Sequence, residues 1–228
     1  MKIAVAGTGY VGLVTGTCLA ETGHDVVCVD VDEAKIKVME SGVSPIYEQG
    51  LEELMQKNYK AGRIKYTTDT ILMVFTIKHR MNCTPEMPDG SANLSYVMTV
   101  VDQIADSIVK DCLVVVKSTV PIGTNDEIEN YLKDKVSKRN AGIDVEVASN
   151  PEFLAQGTAV NDTLHASRIV IGTETEKAKR TLEEVSKEGY SQTIDIPVED
   201  AKADLDDSPS DDYKEVTLEI KDYDYTIN

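Results

Sequence analysis

Lys2-Ile-Ala-Val-Ala6 followed by Gly7-Thr-Gly9-Tyr-Val-Gly12 is the stretch that decides the fold of this 228-residue chain. An apolar run that reads as a buried strand gives way to three glycines spaced GxGxxG. Apolar residues at helical spacing come next: Val11, Leu13, Val14, Cys18 and Leu19. Each glycine has a physical task. Gly7 permits the tight turn out of the strand, Gly9 lets a pyrophosphate approach the backbone, and Gly12 lets the helix pack close to the strand. The helix start then offers free N–H groups and the positive end of its dipole to the phosphates.

A second strand, Asp25-Val-Val-Cys-Val29, runs into Asp30, 18 residues beyond Gly12. The offset expected for the ribose-binding acid of a dinucleotide fold is about 20. An acid there binds both ribose hydroxyls and repels a 2′-phosphate, so NAD is expected rather than NADP.

Strands and helices alternate through residue 172, the pattern of a Rossmann-type, doubly wound α/β fold with a mostly parallel sheet. Helices are expected over Glu33–Ser41, Gly50–Lys60, Asn93–Ile108, Asp126–Val136 and Glu174–Lys187. Leu113-Val-Val-Val-Lys117 reads as a buried parallel strand, with shorter strands at Val145–Ala148 and Arg168–Gly172. The expected organisation is one domain over 1–190 and an irregular, poorly ordered acidic tail over 191–228.

The net charge is −17, and the 34 residues from Asp195 hold 12 acids against 3 bases. No basic face emerges, so nucleic acid and anionic membranes are not expected partners. No apolar run approaches the roughly 18 residues of a membrane span, and the chain enters a strand without a leader pattern. A cytoplasmic protein is expected. Cys18, Cys28, Cys83 and Cys112 show no CxxC spacing, so reduced thiols are expected and no metal site. His24, His79 and His165 are isolated and read as surface or turn residues.

Several motifs together give the chain a resemblance. They are Gly7-Thr-Gly-Tyr-Val-Gly-Leu-Val, Val43-Ser-Pro-Ile-Tyr-Glu48, Gly50-Leu-Glu-Glu-Leu54, Pro88-Asp-Gly-Ser-Ala-Asn-Leu94, Lys117-Ser-Thr-Val-Pro-Ile-Gly-Thr124, and Asn150-Pro-Glu-Phe-Leu154 followed by Gly157-Thr-Ala-Val160. Over roughly 1–68 and 84–185 the chain resembles the N-terminal part of the UDP-glucose/GDP-mannose dehydrogenase family, in particular its UDP-glucose 6-dehydrogenases. The resemblance implies a two-step, NAD-dependent oxidation of a sugar C6 alcohol to a carboxylate through a cysteine-bound thioester, with UDP-glucose or a related nucleotide sugar as substrate. It implies that Gly7, Gly9, Tyr10, Val11 and Gly12 hold the pyrophosphate, Asp30 the ribose, and Lys35, Thr84, Pro85 and Gln156 further parts of the cofactor. It also implies that Thr119 borders the cofactor and positions a water, that Glu152 is the catalytic acid/base, and that Glu152, Phe153, Leu154, Ala155 and Gln156 line the sugar-nucleotide site. The residues agree in part: Thr119 follows a buried strand, and Glu152 follows a short strand and a proline, so both are expected at the carboxyl rim where doubly wound folds bind ligands.

The chain also departs from the family. The nucleophilic cysteine with its Pro-Lys-Asp context, the catalytic lysine and asparagine, the dimer helix and the second nucleotide domain are not found, and the oligomeric state stays open. Without a thiolate the covalent route is closed. Gln stands at 49 where Pro is usual and at 156 where Glu is usual. Segment 69–83 offers only one apolar run, Ile71–Ile77, where a helix and then a central strand are wanted. The family pattern resumes abruptly at Thr84 and fades by about Ser191, as two reading-frame disturbances would produce. A truncated dehydrogenase, inactive alone, is therefore expected. The alternatives are a non-catalytic NAD- or sugar-nucleotide-binding module partnering an intact dehydrogenase, or an active enzyme for another substrate using Thr119 and Glu152. A parallel crossover needs about a dozen residues, more than Gly62–Thr70 supplies. Marginal stability is expected, and a cooperative thermal melt above about 55 °C overturns that expectation.

Overall fold

The first strand, β1 (Lys2–Ala6), has a parallel neighbour on each edge. On one side β2 (Asp25–Val29) pairs from Lys2↔Asp25 to Ala6↔Val29. On the other, β4 (Thr76–Lys78) pairs from Ala4↔Thr76 to Ala6↔Lys78. A strand with no free edge and a helical layer on each face must be apolar throughout, and Ile3 to Ala6 are all buried. A computed structural model describes residues 1–69, 76–78, 94–117, 120–139, 142–166, 168–186 and 193–195.

With β3 (Ile64–Thr67), β5 (Cys112–Val116) and β6 (Val145–Ser149), the main sheet has the order β3-β2-β1-β4-β5-β6. Every pairing in it is parallel. This is the doubly wound arrangement, with its switch point between β1 and β4. The helices are α1 (Tyr10–Glu21), α2 (Glu33–Glu40), α3 (Leu51–Lys60), α4 (Ser95–Ser107), α5 (Thr124–Arg139), α6 (Ala159–Leu164) and α7 (Glu176–Ser186).

Side-chain alternation along the strands divides the core in two. Ile3, Val5 and Val115 join Leu13, Val14 and Cys18 of α1, Leu51 and Met55 of α3, and Leu182 of α7. Ala4, Ala6, Val114 and Val116 join Ile104 of α4 and Ile128, Leu132 and Val136 of α5. α1 is buried from Val11 to Ala20 rather than along one stripe, because α3 and α6 cover the face it turns away from the sheet. The guanidinium of Arg139 closes α4 by donating to the carbonyls of Ala105 and Asp106, each at 2.7 Å, and to that of Ile108.

Expected elements recur within two or three residues of their sequence bounds. Three others had no sequence expectation. β3 has only four residues, with Ile64 and Tyr66 buried and Lys65 exposed, too short for alternation to register. α6 is six residues long. β8 (Thr193–Asp195) pairs in parallel with β7 (Ile169–Ile171), from Ile169↔Thr193 to Ile171↔Asp195. The tail expected to be irregular from Ser191 thus begins with a paired strand. The atypical segment does supply a central strand: Thr76–Lys78 lies between β1 and β5, with Thr76↔Val114 and Lys78↔Val116. The rest of 70–93 and residues 196–228 lie outside the described residues.

Gly16, a glycine outside the GxGxxG motif, sets how closely α1 approaches the sheet. A Cβ there falls 2.6 Å from Sγ of the fully buried Cys28. Alanine normally favours a helix interior over glycine by about 1 kcal/mol, but overpacking a close-packed core costs about 1–3 kcal/mol. Gly16→Ala is expected to lower the urea midpoint. In Gly16→Ala/Cys28→Ala the loss is expected to be smaller than the two single losses together, because the colliding atom is gone.

Candidate functional site

At the carboxyl end of β1 the chain turns at Gly7, whose φ of 89° lies in the left-handed region that glycine tolerates. Its amide donates to the Val29 carbonyl at 2.7 Å, so the turn is fastened to the end of β2. Thr8, fully buried, donates to Asp30 Oδ2 twice, from its amide at 2.8 Å and from its hydroxyl at 2.6 Å. Asp32 caps α2 by accepting from the Ala34 and Lys35 amides at 2.9 and 3.1 Å. That cap places Lys35 so that its ammonium lies 2.9 Å from Asp30 Oδ2. The Asp32 amide reaches Asp30 Oδ1 at 3.1 Å. Burial would raise the Asp30 carboxyl, but the Thr8 hydroxyl and amide, Lys35 and the Asp32 amide outweigh it and hold it at about 2. The group is an ionised acceptor at neutral pH.

Beside this carboxylate, α1 begins at Tyr10 after an N-cap at Gly9 with no side-chain cap and no acid in its first turn. Backbone donors and a positive dipole end therefore stand next to an acceptor-only carboxylate at the β1/β4 switch point. That donor set suits a dinucleotide: the helix start for phosphates, Asp30 for ribose hydroxyls.

Glu48, which carried no assigned role in the sequence, is the second centre. It lies between α2 and α3 and is 6% exposed. Its carboxylate accepts from the Tyr10 phenol, from the Gly157 amide at 2.9 Å and from the Ala159 amide at 3.0 Å. Burial raises its pKa, but the Tyr10 bond and these amides outweigh that and leave it lowered. Burial and then the bond to Glu48 push the Tyr10 phenol up to about 12, so it remains a proton donor. Three sequence motifs meet here: the glycine turn, Val43–Glu48 and Gly157–Val160.

The third cluster stands at the ends of β5 and β6. Lys117 Nζ donates to Asn150 Oδ1 at 2.7 Å and to its carbonyl at 3.3 Å. Asn150 in turn donates from its amide to Val116 O at 2.9 Å and from Nδ2 to Val170 O at 2.8 Å. One residue thus joins β5, β6 and β7 just before Pro151 and Glu152. Burial lowers Lys117 to about 8, with Glu152 opposing. Burial raises Glu152, with Lys117 among the groups opposing. A carboxyl pushed up in this way is suited to proton transfer. Phe153 is half exposed, with the Arg168 guanidinium 4.6 Å from its ring centre. Leu154 packs against the core, while Ala155 and Gln156 are exposed.

The structure therefore gathers Gly7, Gly9, Tyr10, Val11, Gly12, Asp30 and Lys35 into one site. It connects that site to segment 153–156 through Tyr10, whose phenol is also 3.5 Å from the Ala155 carbonyl. Thr84, Pro85 and Thr119 lie outside the described residues. Sequence reading missed Thr8, Glu48 and Lys117 as participants; all three were visible only as members of quoted motifs. His24, expected at the surface or in a turn, lies at a turn but is not at the surface: it is 7% exposed, with Nε2 3.1 Å from the Val185 carbonyl. The turn it occupies is covered by α7, an association across 161 residues. His165 is exposed as expected, and His79 lies outside the described residues. Cys18, Cys28 and Cys112 are free thiols, and burial raises Cys18 and Cys28 to about 12 and Cys112 to about 11. None of these three is an activated nucleophile. Among the described residues no helix is long and apolar enough to cross a membrane.

Comparison with known proteins agrees with this geometry. Residues 1–190 match the UDP-glucose/GDP-mannose dehydrogenase family, NAD binding domain. A UDP-glucose 6-dehydrogenase of Bacillus subtilis, YwqF, is 48% identical over 187 residues, covering 81% of this chain and 42% of that enzyme. The UDP-glucose 6-dehydrogenase of Rhizobium meliloti is 43% identical over 195 residues, covering 83% and 44%. Among solved structures, a GDP-mannose dehydrogenase of Pseudomonas aeruginosa superposes with a TM-score of 0.78 at 34% identity, covering 88% of this chain and 47% of that one. A UDP-glucose dehydrogenase of Pyrobaculum islandicum gives 0.76 at 35% identity, with the same coverage. The chain belongs to the UDP-glucose/GDP-mannose dehydrogenase family as its NAD-binding domain, and NAD is its cofactor. It spans less than half the length of these relatives.

Asp30 makes a pH-dependent contribution to stability. Its carboxyl sits at about 2 in the folded chain against an ordinary 3.8. Because the folded value is depressed, the contribution is complete above about pH 4 and is lost as pH falls toward 2. In urea denaturation, the stability lead of the native chain over Asp30→Asn is expected to shrink across that window.

Proposed function

We propose that this chain is the cofactor-binding part of a UDP-glucose 6-dehydrogenase, folded as one domain over 1–190 and acting in the cytoplasm. In this reading it binds NAD and one side of the nucleotide sugar but does not complete the oxidation alone. The observation that carries the reading is the pairing of an uncapped α1 start with the Thr8-bound Asp30 carboxylate at the sheet's switch point. The 48% identity to a UDP-glucose 6-dehydrogenase of Bacillus subtilis and the 43% identity to that of Rhizobium meliloti support the choice of sugar nucleotide.

NAD, when bound, supplies the hydride acceptor for a C6 alcohol. The chain's own residues bind, orient and handle protons. The α1 start receives the pyrophosphate, and Asp30 accepts from ribose hydroxyls while its charge disfavours a 2′-phosphate. Lys35 holds Asp30 in place. Lys117 fixes Asn150, and Asn150 fixes the backbone that carries Glu152. With its pKa raised by burial, Glu152 is the group to take and return protons at the sugar carbon. Thr119 orients a water there, and Thr84, Pro85 and Gln156 complete the cofactor contacts. Phe153, Leu154 and Ala155 border the sugar nucleotide.

The burial of Cys18 and Cys28, which closes both thiols off from a substrate, is compatible with a second reading for this chain: a non-catalytic NAD- or sugar-nucleotide-binding module that works beside an intact dehydrogenase. Calorimetry on the purified chain tests both readings. Saturable NAD⁺ binding is expected, with NADP⁺ weaker by about tenfold or more, equivalent to roughly 1.4 kcal/mol. Asp30→Ala is expected to narrow that preference. A folded chain that binds no NAD⁺ overturns the first reading, and steady NADH production from UDP-glucose overturns the inactivity.

A further inference from the structure

Glu48 stands between two parts of the site that the sequence places more than 100 residues apart. Its backbone is fixed, since its carbonyl accepts from the amide of the fully buried Leu51 at 3.2 Å, at the start of α3. From that post its two carboxylate oxygens divide the work. Oε2 accepts from both the Tyr10 phenol and the Gly157 amide, and Oε1 accepts from the Ala159 amide. Tyr10 is the first residue of α1, so its backbone belongs to the phosphate-facing turn while its phenol reaches the Glu48 carboxylate. The same phenol lies 3.5 Å from the Ala155 carbonyl. One side chain therefore touches the segment 155–159 directly and also through Glu48.

We propose that Glu48 is a positioning residue that carries cofactor occupancy from the Gly7–Gly12 turn to the segment Ala155–Ala159. The inference rests on the reading that NAD seats on that turn. Phosphates held at the α1 start fix the Tyr10 backbone and, through it, the direction of the phenol. A fixed phenol keeps Glu48 Oε2 in one place, and that oxygen also holds Gly157. Because the carboxylate is buried, water cannot replace a lost donor without cost, so the three bonds tighten or loosen together. The cofactor thus orders the segment on the nucleotide-sugar side by stiffening rather than by displacement.

Amide hydrogen exchange, read by NMR on the isotope-labelled full chain, tests this. Saturating NAD⁺ is expected to slow exchange at Gly157 and Ala159 by about fivefold or more, the lower end of ordinary coupling between sites. In Glu48→Gln, at saturating NAD⁺, the slowing is expected to fall below about twofold. A thermal melt reports whether that variant folds. Tyr10→Phe, which leaves Glu48 and both amides in place, is expected to lose the same increment at its own saturating NAD⁺ concentration. A merely structural Glu48 changes exchange in the cofactor-free variant but leaves the NAD⁺-dependent increment intact, and that result overturns the proposal. So does native chain that binds NAD⁺ without slowing at either amide. If calorimetry shows that the native chain binds no NAD⁺, the proposed function falls and this inference falls with it.

Discussion

The burial of β1 on both edges and both faces is the constraint from which the site follows. The chain turns out of this enclosed strand at its very end, and glycine at position 7, with φ of 89°, makes that turn. The amide of Gly7 then closes onto Val29, which brings the end of β1 against the end of β2. Thr8 and Asp30 meet as a consequence, and α1 starts beside them. Lys2 to Asp30 is one local unit in which backbone geometry, helix polarity and a buried carboxylate all favour the same arrangement.

Charge inside this domain is used as a fastener. Asp30, Glu48 and Lys117 are each withdrawn from water to some degree, and each is met by several polar groups. A buried charge left unpaired is costly, so each holds its partners as firmly as they hold it. Asp30 joins the first two strands. Glu48 joins the α2–α3 connection to the start of α6. Lys117 and Asn150 join the ends of β5, β6 and β7. All three clusters lie at the rim where a doubly wound sheet receives its ligand.

The central position beside β1 shows how tolerant this scaffold is. Thr76-Ile-Lys78 replaces the longer apolar strand that the fold wants, yet it pairs with β1 on one side and β5 on the other. Parallel pairing depends on backbone hydrogen bonds, which any non-proline residue supplies. Three residues therefore keep the order of six strands.

By itself the sequence determined the α/β class, the glycine turn, the acid at the end of β2 and most helices. These depend on periodicity and on glycine and acid spacing within about 30 residues, which a linear reading captures. β3, α6 and β8 escaped because three to six residues carry too little periodic signal. Only the tertiary structure decided that Glu48 meets Gly157 and Ala159, that His24 is covered by α7, and that Lys117 anchors Asn150. Those partners are 33 to 161 residues apart along the chain. Their pairing is fixed by where the sheet order places strand ends and by the cost of leaving a buried polar group unmet, and neither quantity is written in any local stretch of sequence.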